Sequence, residues 1–338
     1  MKYIRNSSTD PYFNLALEEY VLNTFTDDDY LLLWQNDRTI VIGKHQNAVE
    51  EVNTKRAGEL EVTVVRRNTG GGAVYHDMGN LNFSFITDWL PDVNMDYDTF
   101  LKPVIRALRE FGVHAEKQGR NDLVVDGRKI SGNAQCIKNT TSRPFIPNSQ
   151  KGRILHHGTL LVSSELSLMP ELLNVKTDKI VSKGIKSIRS RVANISEYAK
   201  EPIDIELLKE ALIQSFFEGS ERNEHTLDET QAAEIEKLRA EKYSTWEWNF
   251  GVSADYSYKN GKRFPGGSVE VRLDVKNGII ERCKIFGDFL ALVGVEALET
   301  AVVGCRSGTD DIKKALEVFD IRRFYGVSLE ELLECFEL

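Results

Sequence analysis

The sequence predicts a mixed α/β protein in which a large domain is followed by a small α+β domain. Segments of helical periodicity alternate with short apolar runs over roughly the first two-thirds of the chain, which gives the mixed class. The pattern changes at "STWEWNFG", after which strand-like runs separated by Asn-Gly pairs lead into helices. A length of 338 residues favours about two domains, and 41% hydrophobic with 28% charged residues is the composition of an ordinary globular chain. The boundary is placed so that residues 1–246 form the large domain and 247–338 the small one.

The elements come in order along the chain. After "TDP", where Thr9 or Asp10 can cap and Pro11 can occupy the first turn, "YFNLALEEYVLNTF" has helical periodicity. The run Asp27-Asp28-Asp29 reads as a solvated loop. "YLLLW" (30–34) and "TIVIG" (39–43) are strand-like, and "VTVVRR" and "LNFSFI" flank a glycine run, which puts the glycines in a strand-to-strand connection. "TFLKPVIRALREFGV" (99–113) reads as a helix with Pro103 near its first turn and Gly112 at its end. "DLVVDGRKISG" reads as a hairpin turning at Asp126-Gly127. Residues 139–152 form a loop, "HHGTLLV" a strand, and "SELSLMPELLN" a helix. Two amphipathic helices are expected at 204–217 and 229–243; the small domain should then turn at Asn260-Gly261 and Asn277-Gly278.

Composition excludes several classes. No stretch approaches the roughly 18 apolar residues of a membrane span, and "MKYIRNSSTDPYFN" lacks the apolar core of a secretory signal, so a cytoplasmic location without membrane association is expected. Cys136, Cys283, Cys305 and Cys335 stand singly, without the spacing of a zinc site or a disulfide framework. A net charge of −9 argues against a nucleic-acid partner.

The chemistry concentrates in "RRNTGGGAVYHD" (66–77). A Walker A loop and a Rossmann fingerprint both open a helix, whereas Gly70-Gly71-Gly72 leads into the strand-like "AVYH". The residues leave two readings: an anion-binding nest of backbone N–H groups with Arg66 or Arg67 beside it, or a tight packing turn. Lys129, just after a hairpin turn and flanked by small residues, either neutralises a phosphoryl group or lies on the surface. Asp122 either helps to hold Mg²⁺ or belongs to a turn with Asn121. His156 and His157 are adjacent in a strand, so at most one can face a site. Lys183, Lys186, Arg189 and Arg191 make a basic segment that covers a nucleotide, docks an acidic partner or is simply solvated. GxSxG and HExxH are absent.

Taken together and in order, "RRNTGGGAVYHDMGNLNFSF", "GRNDLVVDGRKISGNAQ", "HHGTLL" and "KGIKSIRSRVANI" resemble the single-chain bacterial lipoate-protein ligases, and "WEWNF" with the α+β unit after it resembles that family's C-terminal accessory domain. The resemblance implies a biotin/lipoate-ligase fold, with mixed sheets flanked by helices. It also implies a two-step reaction: ATP activates lipoate as lipoyl-AMP, and the ε-amine of a lysine on a lipoyl domain then displaces AMP. The acceptors it implies are 2-oxoacid dehydrogenase E2 subunits and the glycine-cleavage H protein. Carried over by position, Arg67, Gly72, Ala73, Val74, Tyr75, Lys129 and Lys183 bind ATP and the adenylate. Lys129 is the catalytic residue; Lys129, Gly71, Gly72, Phe83 and His157 contact lipoate, and Asp122 is a Mg²⁺ ligand. The segment from Cys136 to Arg153 looks longer than its counterpart in the family.

Two other classes compete. An octanoyl or lipoyl transferase uses a cysteine nucleophile without ATP, but the strand at "GRNDL" carries no cysteine and Cys136 is the nearest thiol. A binding protein that sequesters lipoate would need neither Lys129 nor the arginine-glycine motif. Biotin ligase is disfavoured because its "GRGRRGR"-like loop is absent.

Overall fold

The computed structural model describes residues 1–89, 96–139, 152–174, 191–218, 221–251, 256–292, 294–321 and 327–336. Helix α1 (Pro11–Thr24) starts where the sequence places it, with the Asp10 carboxylate accepting the Tyr12 N–H and Pro11 in the first turn. Strands β1 (Lys2–Arg5) and β2 (Tyr30–Trp34) then enter the middle of a large sheet. All five residues of β2 are buried, because the sheet is covered on both faces. The Asp27-Asp28-Asp29 run is less free than expected: Asp27 holds Lys2 at 2.6 Å and Asp28 holds the N-terminal amino group at 2.7 Å, so two of the acids tie down the entry to β2.

The eight-stranded sheet has the order β11-β1-β2-β6-β10-β9-β8-β7. Its remaining strands are β6 (Asn80–Trp89), β7 (Glu116–Gln118), β8 (Asp122–Val125), β9 (Arg128–Asn139), β10 (Gly152–Leu161) and β11 (Glu224–His225). Pairing is parallel at β11-β1-β2 and antiparallel elsewhere. A three-stranded sheet, β4-β3-β5, comprises β3 (Thr39–Ile42), β4 (Thr63–Arg66) and β5 (Val74–His76), with short helices α2 (Ala48–Glu51) and α3 (Thr54–Glu59) in the connection. The mixed sheets and flanking helices are those expected.

Each face of the large sheet has its own core. Leu31, Leu33, Leu81 and Phe83 pack under α4 (Tyr97–Glu110) and α6 (Ile205–Phe217). Leu32, Trp34, Ile86 and Leu155 pack under α1 together with Ile235 of α7 (Glu229–Leu238) and Tyr243 of the π-helical turn after it. Helix α4 begins two residues before its periodicity indicates, with Asp96 as cap, so Pro103 falls in the helix interior rather than its first turn. The expected helix in "SELSLMPELLN" shrinks to α5 (Met169–Leu172).

Helix α8 (Trp246–Asn249) is fastened to the large part. Asn249 Oδ1 accepts the Arg66 N–H at 2.7 Å, and the Arg66 guanidinium spans the carbonyls of Gly43, Lys44, Gln46, Trp248 and Asn249. Beyond it lies a separate sheet, β12 (Tyr258–Phe264), β13 (Gly267–Lys276) and β14 (Ile279–Gly287), followed by α9 (Glu296–Val302), α10 (Thr309–Leu316) and α11 (Leu329–Glu334). Its core includes Val269, Val271, Leu273 and Ile285. The Asn277-Gly278 turn forms as expected, both residues having positive φ (52° and 75°). Asn260-Gly261 does not turn: it pairs within β12 against Val271 and Glu270, and the reversal comes at Pro265-Gly266. The buried row Val269, Val271, Leu273 requires a partner strand of matching length, and this overrides the local Asn-Gly preference.

Candidate active site

Successive residues of a strand face opposite sides, and in β6 this sends Asn82 and Ser84 one way and Phe83 the other. A cleft of about 80 Å³ lies on the Asn82 side, between the large sheet and the β4-β3-β5 sheet. Trp34, Asn82, Thr159 and Gly132 line it along the large sheet, and Val41, Val74 and His76 line it opposite.

Lys129 stands at one end. Its Nζ is 2.7 Å from Asp122 Oδ1, and both side chains are about one-third exposed (35% and 36%). The register of β8 against β9 shifts so that Leu123 opposes Ser131 and Val124 opposes Lys129, leaving Ile130 as a bulge residue buried in the core. A Cβ on Gly132 would lie 2.7 Å from Lys129 Nζ, so the missing side chain is what lets the lysine lie across the strand. The Lys129 N–H donates to the Arg191 carbonyl and its own carbonyl accepts the Ala193 N–H, pinning the backbone on the far side.

The glycine loop forms the roof. Arg67 is buried and donates from Nη2 to the carbonyls of Gly70 (2.6 Å) and Gly72 (2.9 Å), from Nη1 to Val41, and from Nε to Thr69 Oγ1. Burial lowers its pKa to about 10, so it remains charged at neutral pH. Of the two adjacent arginines only Arg67 reaches the cleft; Arg66 is the rivet to α8. The glycines serve different ends. A Cβ on Gly70 would meet the Phe289 carbonyl oxygen at 2.5 Å, Gly71 has φ of +91° and donates its N–H to the same carbonyl, and Gly72 faces open space. Two of the three therefore admit the small domain, a use that the motif itself does not reveal. Leu290 comes next and lines the cleft, and the Leu292 carbonyl accepts the Ile137 N–H at 2.7 Å.

A polar relay supports the roof from below. Trp34 Nε1 donates to Ser84 Oγ at 2.8 Å, and Ser84 donates to Glu18 Oε1 at 2.6 Å. The same oxygen pairs with His157 Nδ1 at 2.8 Å, while His157 Nε2 meets Thr69 Oγ1 at 2.7 Å. As a carboxylate Glu18 can only accept, which puts a His157 proton on Nδ1; in that tautomer Nε2 accepts the Thr69 hydroxyl hydrogen while the Thr69 oxygen accepts from Arg67. Glu18 belongs to no motif and escapes sequence reasoning, although it shares a helical stripe with Leu15 and Leu22, where a carboxylate is out of place.

The sequence-derived candidates divide. Arg67, Gly71, Gly72, Val74, Lys129 and His157 line the cleft, and Asp122 touches it through Lys129. Phe83 does not line it: its fully buried ring lies beneath Gly158, on the α4 and α6 side of the sheet. Tyr75 likewise turns away into the core of the small sheet with Ile40 and Ile42, and Ala73 packs at the edge of that core. His156 is buried on the opposite face, stacked 4.6 Å from the Phe100 ring, as alternation with His157 requires. Lys183, Lys186 and Arg189 lie outside the described residues, as does nearly all of the 139–152 loop. Among the described residues no group of three His, Cys, Asp or Glu side chains could hold a metal ion, and no helix is long and apolar enough to cross a membrane.

The Phe83 position gives a stability prediction. A Cβ at position 158 would sit 2.0 Å from Asn133 Oδ1 and 2.5 Å from the Phe83 ring. Gly158→Ala should therefore destabilise the large domain by about 1–3 kcal/mol, read as a lower urea midpoint. An unchanged midpoint would contradict this packing.

Residues 10–217 match the family described as the lipoyl protein ligase A/B catalytic domain, and residues 253–336 match the bacterial lipoate protein ligase C-terminus. The chain is 44% identical over 340 residues to lipoate-protein ligase LplJ of Bacillus subtilis, covering 99% of each chain. Among solved structures it resembles P. falciparum LipL1 in complex with lipoate, with a TM-score of 0.79 and 25% identity over 98% of each chain. It also resembles lipoate-protein ligase A bound with ATP, with a TM-score of 0.62 and 28% identity, covering 75% of this chain and 99% of that one. Lys129 at the mouth of a cleft roofed by an arginine-held glycine loop thus lies in a chain that belongs to the lipoate-protein ligase family.

Proposed function

We infer that this chain is an ATP-dependent lipoate-protein ligase, which activates free lipoate as lipoyl-AMP and passes the lipoyl group to a lysine of an acceptor protein. The observation that carries the reading is the placement of Lys129 over Gly132, at one end of a cleft whose other walls are largely apolar. In the first step a lipoate carboxylate oxygen bonds to the α-phosphorus of ATP and pyrophosphate leaves. Lys129 Nζ neutralises negative charge where carboxylate and phosphate meet, and the fixed Gly72–Val74 backbone holds the reacting groups in line. In the second, the acceptor amine attacks the acyl carbon, AMP leaves with the bonding pair, and the amine loses a proton. A mixed anhydride is already a good acylating agent, so the chain needs no nucleophile of its own.

Cys136 supports this choice over the cysteine-dependent transferase. Burial, with Glu18 adding to it, pushes its thiol up to about 12, whereas a thioacyl carrier needs a thiolate. Retention of Lys129 with the arginine-held loop favours a ligase over a lipoate-sequestering protein. Asp122 is a single carboxylate already paired with Lys129, so it fits Mg²⁺ only where nucleotide phosphates supply the remaining ligands. Bound there, the ion would add charge neutralisation at the phosphates. We further propose that Lys183 covers the adenylate and that E2 lipoyl domains and the H protein are the acceptors. A cytoplasmic location and a division into domains near residues 246–247 complete the reading.

The test is the intact mass of an unmodified lipoyl domain incubated with the protein and lipoate, with and without ATP and Mg²⁺. A lipoyl-sized gain only with ATP is expected. Modification from an octanoyl carrier protein without ATP would make the chain a transferase, and lipoate binding without modification would leave a sequestering protein.

A further inference from the structure

The cleft ends in two polar groups that the reaction does not use. Trp34 on β2 pairs with Asn82 on β6, Asn82 pairs with Thr159 on β10, and the Thr159 hydroxyl accepts the N–H of Gly132 on β9. The floor therefore runs across the strands, and two strand spacings, ~10 Å, separate Asn82 from Gly132 and the Lys129 ammonium over it. That is about the length of an extended eight-carbon acyl chain. An acid whose carboxylate meets Lys129 brings its far end to Asn82 and His76.

Both residues are buried, with 2% exposure each, and each carries a nitrogen without a hydrogen-bond partner among the described residues: His76 Nε2 and Asn82 Nδ2. The free His76 nitrogen is a donor, by a chain of assignments. The Asn14 amide nitrogen is fixed by the Gln35 carbonyl at 2.9 Å and donates to Asn36 Oδ1, which leaves the Asn36 amide nitrogen to donate to His76 Nδ1 at 3.2 Å. Nδ1 is thus an acceptor and the proton sits on Nε2. Burial, with Arg67 and His157 adding to it, lowers the His76 pKa to about 3 and keeps the ring neutral. With the Asn82 amide assigned so that Oδ1 accepts from Asn80 Nδ2 at 3.0 Å, its nitrogen has no partner among the described residues. The Trp34 indole N–H is committed to Ser84, so its ring offers the cleft an apolar surface.

We propose that His76 and Asn82 are specificity-determining residues that favour an acyl chain ending in a hydrogen-bond acceptor, such as dithiolane sulfur, over one ending in a methyl group. The proposal rests on the ligase reading above. A methyl terminus strands both donors out of water, whereas sulfur is a weak acceptor that partly satisfies them. The discrimination expected is on the order of tenfold.

The test is calorimetric binding of lipoate, octanoate and 8-hydroxyoctanoate to the full chain without ATP, so that ligation is not the readout. The wild-type protein should bind lipoate and the hydroxy acid on the order of tenfold more tightly than octanoate. His76→Phe and Asn82→Leu should each narrow that ratio by improving octanoate binding. Equal affinities for all three acids in the wild type overturn the proposal, a result that does not depend on the variants folding. Variants that weaken all three acids alike also overturn it, since that is what a merely structural role produces. Failure of the wild type to bind any of them would instead strike the ligase reading.

Discussion

Lys129→Ala is expected to release no measurable pyrophosphate from ATP in the presence of lipoate. Removing one group that stabilises developing charge lowers a rate by roughly 10²–10³. Here the loss is compounded, because the lysine is paired with Asp122 at 2.7 Å. Without the ammonium, that carboxylate faces incoming phosphates with no compensating charge and repels them. The compounding is separately measurable as ATP binding in the absence of Mg²⁺: Lys129→Ala with Asp122→Ala should recover part of the affinity that the single variant loses. Undiminished pyrophosphate release by the single variant would remove Lys129 from the mechanism.

Arg67→Met should be the most destabilising single change at the site. The guanidinium satisfies the carbonyls of Val41, Gly70 and Gly72 and the Thr69 hydroxyl in a nearly dry environment. At about 1–3 kcal/mol for each polar group left unsatisfied, and allowing for partial relaxation, the loss should be roughly 3–5 kcal/mol in urea unfolding. Lipoate and ATP binding should fall with it, because the loop that the arginine holds is the roof of the cleft. Wild-type stability together with wild-type binding would mean that the loop keeps its shape without the arginine.

Much of this is readable from residues because local chemistry and global fold agree. Asp10-Pro11 opens α1, and Asp126-Gly127 and Asn277-Gly278 turn where their positive φ values demand. Lys129 and the glycine loop stand out by type and order. Other features depend on pairing. Whether Arg66 or Arg67 enters the cleft is decided by the alignment of β4 with β3, which places Arg66 opposite Ile42. Phe83 could be excluded by alternation in "LNFSFI", since Asn82 and Ser84 cannot share its face. Asn260-Gly261 fails as a turn because a buried row on a neighbouring strand outweighs it. Leu290 and Phe289 carry no local signal, because their importance arises only where two domains meet.

That meeting has a thermodynamic consequence. Leu290 lines the cleft, and the Phe289 carbonyl takes the Gly71 N–H. An acid that touches Leu290 binds more tightly when the small domain is docked, and by linkage the bound acid strengthens docking by the same factor. Substrate occupancy and domain association are then a single coupled equilibrium. A chain cut after residue 251 should lose acid affinity even though Lys129, Arg67 and the whole floor remain, and the full-length chain should resist proteolysis at its domain junction more strongly when the cleft is filled.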